Sequence, residues 1–284
     1  MKRFNIKLFA FCLAMLAAVL PAPAQQLPFK GGEQLKYKLK YKWGVINADI
    51  ATVDFNITEE NYQGEDCFRL KTTGATSNLA ASLVKVSYKY DCRFTSDGLV
   101  PRTFYREQTE GNYWAKNNYT WDVSGKSLHA IVDKSTRPHR DTVFNSKTII
   151  YDVISMLYAL RAADLDAAKN GKNLQYVAAL DCNVSDVTVS YIKTETRKFQ
   201  DLGTLEVDKS VLYYKNRKGR EKLDKESAVA ISSSEDGTLA PIYIWVTPDE
   251  SRTVVGLSAG IAVGSIVGRL VDAKGLIKPL QLEK

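Results

Sequence analysis

Aromatic side chains are concentrated in one part of the sequence, where they could bind a ligand by stacking or by apolar contact. Six of them fall on two adjacent segments with strand character: Phe104, Tyr105, Tyr113, Trp114, Tyr119 and Trp121. Because strand side chains alternate between faces, Tyr113, Tyr119 and Trp121 share one face and Trp114 takes the other. Such a set packs as a cross-strand aromatic cluster or binds a sugar ring or an acyl chain. Both interpretations stay open. The candidate ligand-binding residues are Tyr113, Trp114, Tyr119 and Trp121.

Acid–base and nucleophilic chemistry have a weaker basis. The chain has two histidines and contains neither G-x-S-x-G nor H-E-x-x-H. Proton transfer would therefore fall to carboxylates, and Glu107 with Glu110 is the pair to consider for glycoside hydrolysis. We interpret both as solvent-facing charges of a hairpin. The sequence thus predicts a protein that is not an enzyme and assigns no catalytic residue.

Cysteine chemistry is the remaining candidate. Beyond the N-terminal apolar segment the chain has three cysteines, Cys67, Cys92 and Cys182. An odd number leaves at least one thiol free, and Cys67 with Cys92 is the candidate disulfide. There is no CxxC motif, and the histidines lie far from the cysteines along the chain. We therefore expect neither a metal site nor a cofactor.

The N-terminus has the pattern of an export signal. Three cations precede or border an apolar run at 8–20, and a small-x-small cleavage pattern ends at Ala24. The run is shorter than the about 20 residues that span a bilayer. We expect cleavage of residues 1–24 and an exported, periplasmic or outer-membrane-associated protein, with 25–284 as a single domain.

The charge balance argues against a nucleic-acid partner. The formal net charge of +7 falls to +4 once the three cations of the signal are removed, and this balance lacks the concentrated basicity of nucleic-acid binders. Two basic stretches stand out, the lysines at 36, 38, 40 and 42 and the segment 215–222. We interpret the first as a solvated face or a guarded sheet edge and the second as a solvated loop. The alternative for both is contact with anionic envelope polymer or lipid headgroups.

Period-two alternation dominates the sequence and predicts strands. Residues 35–43, "LKYKLKYKW", place apolar side chains on one face and lysines on the other. The same reasoning predicts further strands at 48–57, 66–73, 84–94, 103–108, 113–122, 128–133, 174–181, 185–194, 204–214, 226–234 and 241–246. A helical turn is expected at 78–84. About a dozen strands with short connections predict a large curved antiparallel sheet that forms a barrel or half-barrel.

One segment has helical periodicity instead. Within 148–165 the apolar residues follow i, i+3, i+4 spacing, which predicts an amphipathic helix lying on or in the sheet. Ser146 or Thr148 is the expected N-terminal cap.

Glycines recur every four residues near the C-terminus, at 256, 260, 264 and 268. A membrane helix is disfavoured because the uncharged run holds only sixteen residues, 253–268. A phosphate-binding loop is disfavoured because no βαβ pattern or P-loop motif accompanies the glycines. We therefore predict one long bent strand or two short ones, with the glycines on one face providing curvature.

Several segments together carry a family resemblance. They are "GGEQLKYKLKYKWGVINADIATVDF" (31–55), "YDCRFTSDGLVPRTFYREQTEG" (90–111), "YDVISMLYALR" (151–161) and "YIWVTPDESRTVVGLSAGIAVGSIVGRLV" (243–271). In this order and spacing they resemble the bacterial domain-of-unknown-function family 3108. The resemblance implies an exported, mainly β protein and supplies no activity or catalytic residues; Cys67 and Cys92 depart from it. Asp152, Tyr158 and Arg161 match its helix motif, and we interpret them as a helix cap, a core aromatic and a surface ion pair.

The sequence thus supports two functional hypotheses. The first is a non-catalytic envelope protein that binds an apolar or amphipathic component, such as a lipid or lipoprotein. The similarity of a curled sheet with one helix to the lipoprotein-carrier half-barrels of the periplasm favours it by analogy only. The alternative is a carbohydrate-binding or scaffolding β-domain with a glycan partner. An integral outer-membrane barrel is disfavoured, because the chain ends "LQLEK" without a terminal aromatic residue.

Overall fold

The computed structural model describes residues 26–76, 85–180, 182–217, 238–261 and 263–282. The expected signal peptide (1–24), the helical turn at 78–84 and the strand at 226–234 lie outside these ranges. Within them, fifteen strands form one sheet. The strands are β1 (Gln34–Trp43), β2 (Ile46–Tyr62), β3 (Glu65–Thr76), β4 (Val86–Thr95), β5 (Pro101–Glu110), β6 (Tyr113–Trp121), β7 (Ser127–Lys134), β8 (Arg137–Asn145), β9 (Ile150–Tyr151), β10 (Leu174–Leu180), β11 (Asn183–Phe199), β12 (Gly203–Asn216), β13 (Ile242–Val246), β14 (Val254–Gly260) and β15 (Ser265–Lys274).

The sheet is curved and open, which confirms the predicted fold class. Its strand order is β8-β7-β6-β5-β4-β3-β2-β1-β15-β14-β13-β12-β11-β10-β9. Neighbouring strands are antiparallel except β9 and β10, which are parallel. The first and last strands along the chain, β1 and β15, are hydrogen-bonded neighbours within the sheet. The two edges are therefore β8 and β9, in the middle of the chain.

The predicted helix exists but is shorter than expected. Helix α1 spans Val153–Arg161, and a separate short helix α2 spans Leu165–Lys169. The cap is Asp152, whose carboxylate accepts hydrogen bonds from the backbone N–H groups of Ile154 and Ser155 at 2.8 and 2.9 Å. Residues 150–151 pair with β10 instead of joining the helix. The expectation of a cap at Ser146 or Thr148 was wrong, because this short strand precedes the capping box. No helix in the described ranges has the length and apolar content needed to cross a bilayer.

Helix α1 lies between two parts of the sheet, and we call the face that it contacts the inner face. Ile154, Tyr158 and Ala159 belong to an apolar cluster with residues of β2 to β7 and β10. Met156 and Leu160 belong to a second cluster with residues of β10 to β14. At about 1.5–3 kcal/mol for each large apolar side chain buried, these contacts are what hold the helix against the sheet.

The lysine stripe of β1 is a solvated surface, and three of its four cations are paired with described carboxylates. Lys36, Lys38 and Lys40 lie 3.4, 3.9 and 3.9 Å from the carboxylates of Asp54, Asp201 and Asp49. The alternative of a guarded sheet edge was wrong, because β1 is hydrogen-bonded to β2 on one side and β15 on the other.

Arg269 connects separate parts of this outer surface. Its guanidinium donates to both Oδ atoms of Asp49 at 2.7 Å and to Asp201 Oδ2 at 2.7 Å. The hydrogen bond from Arg269 is the main reason that the pKa of Asp49 lies below the ordinary aspartate value of 3.8. A carboxylate whose pKa is lowered by folding stabilises the folded state at pH values above its unfolded-state pKa. This stabilisation is lost as the pH falls through its folded-state pKa.

We therefore expect part of the acid sensitivity of the protein to come from Asp49. Denaturant unfolding at pH values from about 5 down to about 2 should show a shallower loss of unfolding free energy in Asp49→Asn than in the wild type. Asp272→Asn, on β15 with Arg269 but more than half exposed at its side chain, is the matched control and should keep the wild-type slope. An Asp49→Asn profile parallel to that of the wild type would contradict the assignment.

The glycine-rich segment forms two strands, as the sequence allowed. The prediction that the glycines share one face was wrong, because Gly256 pairs with Arg269 whereas Gly268 pairs with Leu257, which puts these two glycines on opposite faces. The glycines permit close approach and turning more than curvature. A methyl group on Gly256 would lie 3.2 Å from the Phe199 ring and 3.3 Å from the Trp245 ring, and one on Gly268 would lie 2.8 Å from Leu257. Gly264 has φ +84° and turns the chain between β14 and β15.

Candidate functional site

The four candidate aromatic residues do not form one platform. Their strand, β6, alternates strictly between buried and exposed positions. Tyr113, Tyr119 and Trp121 are buried on the inner face, whereas Trp114 is 42% exposed on the outer face. The face assignment made from the sequence is confirmed. A flat stacking surface that combines Trp114 with Trp121 is excluded, since the sheet itself separates them.

Strands β3 to β7 present an apolar half on the inner face. Cross-strand pairing places Leu70, Cys92, Phe104, Tyr119 and Ala130 in one row across the sheet. The rings of Phe104 and Tyr119 are 5.3 Å apart, a distance typical of aromatic pairs. Phe68, Phe94, Trp121 and Leu128 extend this surface, which we call the apolar half.

Helix α1 and the N-terminal segment cover the apolar half. Phe29 lies 4.7 Å from the Tyr158 ring of α1 and 5.2 Å from Phe68, both edge to face. Tyr158 in turn lies 5.8 Å from Phe94. Side chains therefore fill the space between α1 and the apolar half. A recess elsewhere, lined by Leu160 and Asp208 among others, measures about 10 Å³, which is about the volume that one water requires.

The same strands carry polar side chains farther along the inner face. The next cross-strand rows contain Thr72, Tyr88, Tyr90, Arg106, Gln108, Asn117 and Lys134. Together with Glu110 we call these residues the polar half. Glu110, Gln108, Asn117 and Lys134 are all buried. Such residues are rarely buried without a structural or functional reason.

Gln108 connects the members of the polar half. It accepts a short hydrogen bond from Arg106 and donates through Nε2 to Glu110 Oε2 at 3.2 Å and to the Tyr88 hydroxyl at 3.3 Å. Burial, and secondarily the charge of Glu110, raises the pKa of Tyr88 well above its ordinary value. Tyr88 is therefore a neutral phenol that can donate as well as accept.

The buried polar atoms on the inner face that have no hydrogen-bond partner among the described residues include Thr72 Oγ1, Asn117 Oδ1 and Trp121 Nε1. Thr72 and Asn117 are each 1% exposed, and Trp121 is 9% exposed. Thr72 and Asn117 lie in the row where the apolar half meets the polar half. Leaving a buried polar group unpaired costs about 1–3 kcal/mol, and each such group calls for an explanation.

The two carboxylates considered for catalysis lie on opposite faces. Glu107 is on the outer face, 3.8 Å from Lys116 Nζ, whereas Glu110 is buried within the polar half. The interpretation as solvent-facing charges is confirmed for Glu107 and wrong for Glu110. Three residues apart on one strand, the two side chains cannot face a common substrate.

The candidate disulfide between Cys67 and Cys92 is not formed, and both thiols are free. Cys92 pairs across the sheet with Leu70, three residues from Cys67. An odd offset along β3 puts the two side chains on opposite faces, so no bridge can join them. Burial raises the pKa of the Cys92 thiol well above its ordinary value, which makes it a poor nucleophile.

A buried ion pair joins α1 to the start of β1, and sequence reasoning missed its acidic member. Arg161 Nη1 and Nη2 donate to the two carboxylate oxygens of Glu33 at 2.6 and 2.8 Å. Arg161 also donates to the carbonyls of Pro28, Ser251 and Arg252. Both charged side chains are almost wholly buried, so the interpretation of Arg161 as a surface ion pair was wrong.

Position parity was the signal that could have found these buried polar residues. Glu33 occupies the same alternating set as the buried Leu35 and Tyr37. Asn117 likewise lies between Ala115 and Tyr119 on the buried set of β6. A polar residue at a position that the alternation of a strand assigns to the buried face therefore indicates a buried polar group.

The family model for proteins of unknown function, DUF3108, matches residues 36–271. The chain belongs to the DUF3108 family. The expected family resemblance is thereby confirmed, and every residue of the apolar half and the polar half lies within the match. None of the curated proteins matches this DUF3108 chain.

A solved structure shares the fold. It is described as a beta-barrel-like protein of the domain of unknown function DUF1849 from Brucella abortus, and it is 10% identical to this chain. The match covers 88% of the DUF3108 chain and 100% of the other, with a TM-score of 0.53. At this identity the likeness concerns the fold alone.

Proposed function

We propose that this protein is a non-catalytic, exported protein of the cell envelope that binds an amphipathic component on the inner face of β3 to β7. The apolar part of the ligand contacts the apolar half, and its polar part contacts the polar half. Lipids, and the acylated termini of lipoproteins, combine an apolar and a polar part in this way.

The unpaired atoms at the boundary of the two halves carry this proposal. A ligand hydroxyl or amide donating to Asn117 Oδ1, with a second contact to Thr72 Oγ1, would pair polar atoms that lack partners in the described residues. Trp121 Nε1, within the apolar half, would donate to a second ligand oxygen.

Helix α1 acts as the cover in this proposal. Because Phe29 and Tyr158 fill the apolar half, the apolar part of a ligand takes their place only after α1 moves away from β4. The ligand therefore competes with packing contacts, and its affinity is reduced by the free energy of opening.

Mass spectrometry of solvent extracts tests the proposal directly. Protein purified from its native envelope should release an amphipathic compound in a fixed ratio to protein. Thr72→Val removes the unpaired hydroxyl and keeps the side-chain shape, so we expect about fivefold to tenfold less retained ligand. The unfolding free energy of the ligand-free variant should stay equal or rise, because an unsatisfied buried group is lost.

Two matched controls separate this effect from a general disturbance. Thr73→Val changes the exposed neighbour on the other face of β3 and should retain the wild-type amount of ligand. Trp121→Phe should lower retention, whereas Trp114→Phe on the outer face should not. The absence of any co-purifying compound, or equal amounts in all four variants, would refute the proposal.

A further inference from the structure

Two neighbouring hairpin turns form an exposed apolar end of the sheet. One is the β1–β2 turn with Trp43 and Val45, and the other is the β14–β15 turn with Val263. They lie side by side because β1 pairs with β15 up to Lys42 opposite Ser265. The Tyr41 hydroxyl also donates to the Val263 carbonyl at 3.1 Å. We call Trp43, Val45 and Val263 the sheet tip.

The sheet tip presents large apolar side chains to solvent. Trp43 is 55% exposed, Val263 is 52% exposed and Val45 is fully exposed. Single exposed apolar residues are ordinary, but several brought together on adjacent turns mark an interaction surface. Tryptophan is enriched at membrane–water interfaces, where its amphipathic ring lies at the level of the headgroups.

The charges behind the sheet tip are predominantly positive. Lys42 is exposed and forms no ion pair with a described residue. Lys40, Lys38 and Arg269 lie behind it and share only two carboxylates, Asp49 and Asp201. Four cations against two anions leave a positive surface, which complements anionic lipid headgroups.

From this arrangement we infer that the sheet tip docks on a bilayer surface bearing anionic headgroups. Trp43, Val45 and Val263 enter the interfacial region, and Lys42 with Lys40 contacts the headgroup phosphates. The contact is peripheral and reversible, since three side chains bury little area compared with an anchoring helix. It requires no ligand on the inner face and stands independently of the proposed function.

Co-sedimentation with vesicles tests this inference. The purified protein should bind vesicles of phosphatidylethanolamine and phosphatidylglycerol, and added salt should weaken the binding by screening the lysines. The double variant Trp43→Ala/Val263→Ser should partition about tenfold less onto the vesicles. Unfolding midpoints of all variants verify that they are folded.

A matched pair of substitutions controls for general loss of apolar surface. Trp114→Ala/Val123→Ser removes the same residue types at exposed positions on and beside β6 and should bind like the wild type. Failure of the wild type to sediment with the vesicles, or equal loss in both double variants, would overturn the inference. So would a wild-type dimer, seen by analytical ultracentrifugation without vesicles, that Trp43→Ala/Val263→Ser dissociates, because a second copy would then be the occupant.

Discussion

Arg161→Met lowers the free energy of unfolding by about 3–5 kcal/mol, measured by denaturant titration with linear extrapolation. The substitution leaves the carboxylate of Glu33 buried without its cation, and burial makes that loss severe. It also removes the hydrogen bonds that the carbonyls of Pro28, Ser251 and Arg252 accept. The N-terminal segment and the loop before β14 would lose the side chain that connects them to α1.

Arg217→Met is the matched control for this prediction. Arg217 donates to Asp186 at 2.7 Å, nearly the Arg161–Glu33 distance, but both members of this pair are more than one-third exposed. An exposed pair contributes about 0–1 kcal/mol, so the two variants isolate the effect of burial. In Glu33→Leu/Arg161→Met only part of the stability should return, because three carbonyls remain without their donor. A loss below about 1 kcal/mol for Arg161→Met would contradict the structural role of the pair.

Gly264→Ala lowers the free energy of unfolding by about 3 kcal/mol, from two sources. Its φ of +84° is unfavourable for any residue with a Cβ. The added carbon would also overlap the carbonyl oxygen of Lys42 and lie 3.0 Å from the Cβ of Trp43. Thermal and denaturant unfolding both measure this loss, which falls on the β14–β15 turn beside β1.

Gly44→Ala separates the two sources. Gly44 has φ +53° at the adjacent β1–β2 turn, and a Cβ there would meet no atom within 4 Å. The free energy of unfolding of this variant should fall only by the cost of a positive φ for a residue with a Cβ, about 1–2 kcal/mol. Equal losses at Gly44 and Gly264 would show that close approach to β1 adds nothing, contrary to our explanation of this glycine.

Alternation along single strands was predictable from the sequence. The division of β6 into an inner face with Tyr113, Tyr119 and Trp121 and an outer face with Trp114 follows from the two-residue repeat of an extended chain. The lysine face of β1 follows in the same way. The helix was predictable in kind, and the interpretation of Asp152 as a helix cap, made on the family's helix motif, is confirmed. Helical periodicity alone placed the start too early, because several other capping residues lie nearby.

The partners of these faces were not predictable. Arg161 resembled a surface charge until the fold placed Glu33, distant in sequence, against it. Cys67 and Cys92 were plausible bridge partners until the β3–β4 register put them on opposite faces. The polar half of the inner face was likewise missed, although Asn117 and Glu110 occupy buried positions in the alternating pattern of their strands.

The sequence by itself therefore determined the strand-rich class of this protein, the side of the sheet on which most side chains lie and the presence of one packed helix. These properties depend on backbone repeats that are complete within a few residues. Only the tertiary structure decided that β1 and β15 are neighbours, that a buried ion pair holds α1 in place and that two turns meet at the sheet tip. These depend on contacts between residues 128 positions apart in the ion pair and more than 200 positions apart in the β1–β15 pairing, which no local pattern encodes.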